Sequence, residues 1–387
     1  MIIKAFFTNS FGILFSRILG FIRDLMTASV LGANIYSDIF FVAFKLPNLF
    51  RRIFGEGAFS QAFIPSFTKA KNKGQFSYDI SIRLLGVVTL LSLFITFFSQ
   101  LITSLIAYGF DEATQIMTAP LVGINIWYLN FIFVVSFFAA LLQYKKHFAT
   151  TAFSTALLNL SLISALLLAQ GLEKLEIVYY LSYGVVIGGF LQLIVHLIAA
   201  HKHGLCKLLI VGKKEKQIAK YKNEEGQFYK SFFPAIFASS ASHLSAFLDT
   251  FLASFLVSGS ISYLYFANRI LQLPLALFAI ALSTALFPTI ARAINNSDLA
   301  RANQGLYKAT WMLLVFLSLS TIGAVILSEE IMMLLFERGA FTHEDTLNSS
   351  EVLLMYMVGL LPFGLAKLFQ LWHFSHHQQK MVAKFTA

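Results

Sequence analysis

Arg17, Arg23, Asp24, Asp38, Lys45, Arg51, Arg52 and Glu56 all fall within residues 16–65, in sequence that is otherwise strongly apolar. Charges at membrane depth are expensive and usually face an interior cavity, so they mark a functional site by default. The balance here is cationic. Once Asp24 and Glu56 are set against them, the four arginines still outnumber the nearby acids. A guanidinium keeps its charge at physiological pH and grips phosphate or carboxylate with two parallel N–H donors. The chemistry expected of this stretch is the binding of an anion.

Spacing says which side chains act together. Asp38, Lys45 and Arg52 are seven apart, and Asn48 and Glu56 fall three or four away, so a helix puts all five on one face. Residues 36–65 would make about 45 Å of helix, longer than a hydrocarbon core of roughly 30 Å. Pro47 is a bending point, and Gly55 with Gly57, on either side of Glu56, is a second. The competing reading is structural, with Asp38 paired to Lys45 and Arg52 to Glu56. On the preceding helix Gly12, Ser16 and Gly20 form a small-residue face for close packing. Arg17 and Asp24 share another face and are placed to pair, while Arg23 points elsewhere. Later in the chain Arg269 follows Asn268 and precedes Pro274. It is read as a cation facing the same anion, against snorkelling to an interface. Asp249 is either a cation ligand or a hydrogen-bonded core carboxylate, and Lys367 snorkels.

The elements that carry these residues are membrane spans. The chain has 387 residues, 57% hydrophobic and 12% charged. Ten apolar segments reach the roughly 20 residues needed to cross a bilayer: 5–31, 36–66, 86–108, 120–142, 148–169, 177–200, 231–257, 262–291, 306–327 and 351–371. They do not alternate as β-barrel strands do. Connecting segments alternate in charge. Lysine and arginine gather after the even-numbered spans, above all at Lys202–Lys222, and acids after the third, fifth and ninth. The positive-inside rule then puts the N-terminus and the basic segments in the cytoplasm. The net charge of +10 follows this topology, so nucleic acid is not an expected partner. The first apolar run lacks a small-residue cleavage site and reads as a retained span. The single cysteine, Cys206, excludes a disulfide framework within the chain. His201 and His203 in the lysine-rich segment read as solvated, and no metal is expected. There is no phosphate-binding G-x-x-x-x-G-K-[ST] loop and no cluster of acids or nucleophile, so neither a nucleotide site nor an enzyme is expected.

The chain also repeats itself. Ala58–Pro65 (AFSQAFIP) and Ala281–Pro288 (ALSTALFP) share A-x-S-x-A-x-x-P, with Leu46-Pro47 and Leu273-Pro274 upstream of them. An even number of spans separates the copies, so the halves share one orientation about an axis along the membrane normal. The expected fold is all-α and polytopic. It has two six-helix lobes related by a pseudo-twofold, the second incomplete, with further spans expected beyond residue 387. The expected division is a first lobe over 1–200, a basic cytoplasmic linker over 201–227 and a second lobe over 228–387.

Ser16–Asp24 (SRILGFIRD), Ser37–Pro65 (SDIFFVAFKLPNLFRRIFGEGAFSQAFIP) and Tyr265–Pro274 (YFANRILQLP) resemble the MurJ (MviN) lipid II flippases of the multidrug/oligosaccharidyl-lipid/polysaccharide exporter superfamily. The resemblance covers the whole chain. It implies a bacterial inner-membrane protein that moves the undecaprenyl-diphosphate-linked peptidoglycan precursor from the cytoplasmic to the periplasmic leaflet by alternating access. It implies that Arg17, Arg23, Arg51 and Arg269 are essential cavity arginines and that Asp38 is an important acid. Asn268 stands where many members have Asp. Asp249 falls near a position resembling a sodium ligand in some members. Members have fourteen spans, the last two forming a groove thought to hold the lipid tail.

The substrate-binding set is therefore Arg17, Arg23, Asp38, Arg51, Arg52 and Arg269, and the gating set is Asp24, Lys45, Pro47, Asn48 and Glu56. No cofactor is expected. Transport would draw on a monovalent cation gradient or the membrane potential. Expected partners are lipid II, membrane lipids and proteins of cell-wall synthesis. A drug exporter or a carrier of another lipid-linked glycan is the alternative. A drug-cation carrier needs an acidic cavity, whereas another lipid-linked glycan shares the diphosphate.

Overall fold

The computed structural model describes the backbone of residues 2–55, 58–217, 225–296 and 298–375. Side chains are described over 10–51, 59–215, 225–236, 247–283, 285–294, 296, 298–370 and 372–373. The described chain is helical throughout. Seven of its helices or continuous helix pairs are long and apolar enough to cross a membrane. Of the remaining expected segments, residues 5–31, 36–55, 58–66 and 231–253 also fall on helices. The chain folds as two compact units: Met1–Leu31 with Ile35–Ser258, and Gly32–Asn34 with Gly259–Ala387.

The first unit runs through α1 (Ile2–Leu31), α2 (Ile35–Gly55), α3 (Ala58–Lys69), α4 (Lys73–Phe97), α5 (Ser99–Ile106), α6 (Glu112–Asn125), α7 (Tyr128–Tyr144), α8 (Ala149–Leu168), α9 (Lys174–Lys202), α10 (Leu205–Gln217) and α11 (Gly226–Ala253). Helices α8 and α9 start close to their expected positions. Helix α4 starts well before the expected residue 86, because Asn72 caps it, its Oδ1 accepting from Gln75 N at 3.1 Å. The charges on this added stretch have partners: Lys73 Nζ donates to Tyr144 Oη at 2.8 Å, and Arg83 pairs with Glu225 at 2.5 Å. Helix α6 likewise begins before Pro120, with Asp111 as its cap.

Gly12 sets how closely α1 approaches α8: a Cβ there would lie 2.8 Å from Ala152 Cβ. One part of the core is aromatic. Phe59 and Phe63 of α3 pack against Phe137 of α7 and Phe228 of α11, with centroids 5.5–6.4 Å apart. All four are buried. Edge-to-face packing of this kind adds to area burial.

The second unit contains α12 (Ser260–Pro274), a π-helical turn (Leu275–Ile280), α13 (Ala281–Asn295), α14 (Leu299–Ile326), α15 (Ser328–Phe336) and α16 (His343–Ser375). The helix does not stop at Pro274. It passes into the π-helical turn, which is how the missing backbone donor is accommodated. Phe266, Phe336 and Phe341 form its aromatic core. Gly259, at φ +93°, leads into α12 where a Cβ would meet Ala33 O at 2.7 Å, so no other residue fits without strain.

Candidate functional site: an arginine clamp in the first unit

Helix α1 presents Arg23 two-thirds of the way along its length. The guanidinium turns back on its neighbour: Nε and Nη2 donate to Asp24 Oδ1 at 3.0 and 2.6 Å. The side chains are 12% and 3% exposed. Asp24 thus pairs with Arg23 rather than with Arg17, which is exposed. Helical spacing placed Arg23 on another face, but it fixes only the Cβ direction. The long arginine stem covers the remaining angle. A third donor, Arg23 Nη1, reaches Asn159 Oδ1 on α8 at 3.0 Å, and Asn159 Nδ2 donates to Ser16 O at 2.9 Å.

Helix α2 carries a second arginine held by a neutral acceptor. Arg51 donates from Nε and Nη2 to Asn48 Oδ1 at 3.1 and 3.0 Å, one turn earlier on the same face. Tyr128, fully buried at the start of α7, lies within electrostatic reach of Arg51. Its Oη donates to Gln192 Oε1 at 3.3 Å, and Gln192 Nε2 donates to Ser154 O at 3.0 Å. Asp38 is buried in the first turn of α2, and Pro47 is buried within that helix. Lys45 is half-buried and within electrostatic reach of Asp249, which is exposed on α11. The Arg52 side chain, Glu56 and Gly57 lie outside the described residues, as do His376 and His377.

In the second unit Arg269 stacks on Tyr265, its guanidinium carbon 4.8 Å from the ring centroid, and Nη2 donates to Tyr265 Oη at 2.6 Å. Asn268 accepts from Gln272 Nε2. Lys367 is exposed on α16. On the basic turns of the first unit His203 faces His147, with ring centroids 4.7 Å apart. Among the described residues no group of three His, Cys, Asp or Glu side chains is placed to hold a metal.

Sequence reasoning centred on charges missed the neutral partners Asn159, Tyr128 and Tyr265. Asn159 was visible as a lone amide inside the apolar run 148–169, and Tyr265 as an aromatic one turn before Arg269. Neutral acceptors orient Arg51 and Arg269, whereas Arg23 faces both the neutral Asn159 and the Asp24 carboxylate. Such an arrangement suits reversible binding of an anion with two or more oxygens.

The family model described as "Lipid II flippase MurJ" matches residues 27–387. A protein of Helicobacter pylori strain J99, described as a probable lipid II flippase MurJ, is 49% identical over 367 residues, 92% of this chain and 80% of the relative. One of Buchnera aphidicola subsp. Acyrthosiphon pisum, described in the same words, is 32% identical, over 95% of this chain and 72% of the relative. The solved structure of a lipid II flippase MurJ in an inward closed conformation superposes with a TM-score of 0.82 at 27% identity, over 98% of this chain and 78% of that one. A Vibrio cholerae MATE transporter superposes at 0.65 with 12% identity over 99% of this chain and 86% of that one, a likeness of fold alone.

Proposed function

The chain belongs to the lipid II flippase MurJ family, and from that premise we propose that it carries lipid II across the bacterial inner membrane, from the cytoplasmic to the periplasmic leaflet. In this reading arginines hold the diphosphate that links the polyprenyl chain to the sugars. Two six-helix lobes joined by the basic segment 201–227 alternate in access, the N-terminus lying in the cytoplasm. Arg23 and Arg51 are the binding groups of the first unit, with Arg17 and Arg52. Arg269 is the binding group of the second. Asp38, Asp24, Lys45, Asn48 and Glu56 set their charge and position, and Pro47 bends α2. The driving force is a monovalent cation gradient, with Asp249 as a ligand, or the membrane potential. Membrane lipids and cell-wall synthesis proteins are the other partners.

The observation that most supports this reading is the position of Arg23. A permanently charged, largely buried guanidinium on an apolar helix is costly and marks a functional site by default. Diphosphate binding must also be released, and neutral acceptors such as Asn48 and Asn159 orient an arginine without adding a carboxylate against it. The drug-exporter alternative is not favoured: family membership points to lipid II, and the multidrug transporters share the fold at 12% identity. The test is translocation of fluorescent lipid II in proteoliposomes, with the parent protein set against Arg51→Ala and Arg269→Ala. Each substitution is expected to abolish transport while thermal stability is retained. Transport at the parent rate by both variants overturns the reading.

A further inference from the structure

We propose that Asn159 of α8 is a positioning residue for substrate binding, orienting the Arg23 guanidinium from α8 through a neutral acceptor without adding a second carboxylate to the one Asp24 supplies. The inference rests on the reading of Arg23 as an anion-binding group.

The geometry of the amide leaves one orientation. Asn159 Nδ2 faces the Ser16 carbonyl at 2.9 Å, and a carbonyl oxygen can only accept. The oxygen Oδ1 must then face the other way, where Arg23 Nη1 meets it at 3.0 Å. Asn159 is 8% exposed and clamped at both ends. A Cβ on Gly20 would lie in ordinary contact with the amide, 3.4 Å from Nδ2.

Chemistry explains why this residue is an amide. Asp24 already sets one carboxylate against Arg23 through Nε and Nη2. An aspartate at 159 would add a second. The guanidinium would then be overmatched, and its attraction for a diphosphate would fall. A leucine of similar size would fill the space but remove the acceptor that Asn159 offers Nη1, and the fork would lose its tie to α8. A planar fork that is already oriented loses less freedom when it grips a diphosphate.

The test is a double-mutant cycle on the full chain in detergent, with undecaprenyl diphosphate as the probe and undecaprenol as the uncharged control. Asn159→Leu is expected to raise the Kd for undecaprenyl diphosphate about tenfold, the scale of one charge-assisted hydrogen bond. In an Arg23→Lys background, where no fork remains to be oriented, the same substitution should change the Kd by less than about twofold. Asn159→Asp in the parent background should weaken binding at least as much as Asn159→Leu. A role in α1–α8 packing alone predicts the same loss from Asn159→Leu in both backgrounds, and that result overturns the inference. So does an unchanged Kd for Asn159→Leu in the parent background. If the parent protein binds undecaprenyl diphosphate no better than undecaprenol, the reading of Arg23 itself fails.

Discussion

Asn159 on α8 and Arg23 on α1 are 136 residues apart, and a 3.0 Å hydrogen bond from Arg23 Nη1 to Asn159 Oδ1 joins them. The same amide holds the Ser16 carbonyl one helical stretch earlier. The arginine is thus set by two helices at once, and whatever moves α1 against α8 moves the charge.

Packing along that seam gives the first prediction. A side chain on Gly12 would collide with Ala152, its Cβ falling 2.8 Å from Ala152 Cβ and 3.1 Å from Ala152 C. Overpacking of this kind costs about 1–3 kcal/mol. Gly12→Val should lower the thermal unfolding midpoint in detergent by several degrees, and Gly12→Ala by less. A midpoint unchanged by Gly12→Val would show that the two helices do not hold this approach.

Arg269 is held differently, by stacking on Tyr265 and by a hydrogen bond to its hydroxyl. Tyr265→Phe keeps the ring face and removes only the acceptor, so lipid II transport should fall by no more than a few-fold, as expected for one hydrogen bond. Arg269→Lys keeps the charge but loses the planar group that stacks and forks, and it should be the more damaging of the two. Transport rates in proteoliposomes decide the order. The reverse order would assign the work to the hydroxyl.

The spans were legible in the sequence because an apolar run of sufficient length has few alternatives to a helix in a bilayer, and α8 and α9 start within a few residues of expectation. The start of α4 was not legible. Lys73, Asp79 and Arg83 read as a polar connection, and only their three-dimensional partners, Tyr144 and Glu225 among them, make that stretch helical. The site divides in the same way. Arg23, Arg51 and Arg269 stood out because charge in apolar sequence is rare. Their neutral partners did not, since an asparagine in a span carries no charge signal and Asn159 acts across a long sequence separation. The pairing of Asp24 was misassigned to Arg17 because helical spacing gives the direction of a Cβ and not the reach of a guanidinium.

The histidine pair on the basic turns gives a pH dependence. Burial, and then the neighbouring His203, hold the His147 imidazole below its ordinary value of 6.5. Its Nε2 lies 2.7 Å from Thr150 Oγ1. The unfolded chain takes up this proton near 6.5, and the folded chain only at lower pH. Stability from this site is therefore complete above 6.5, declines as pH falls below it, and levels off beneath the folded value. Thermal midpoints followed downward from pH 7.5 should show this decline, and His147→Gln should flatten it. An identical acid slope in the variant would place the titrating group elsewhere.

The most direct measurement is lipid II translocation by Arg23→Ala in proteoliposomes, alongside its thermal midpoint and its binding of undecaprenyl diphosphate. The account predicts loss of transport and of binding by about tenfold or more in a protein that still folds, with the midpoint lowered because the buried Asp24 carboxylate loses the Arg23 guanidinium. Transport and binding at parent levels would contradict it, because the clamped arginine would then be a structural ion pair with Asp24 and nothing more.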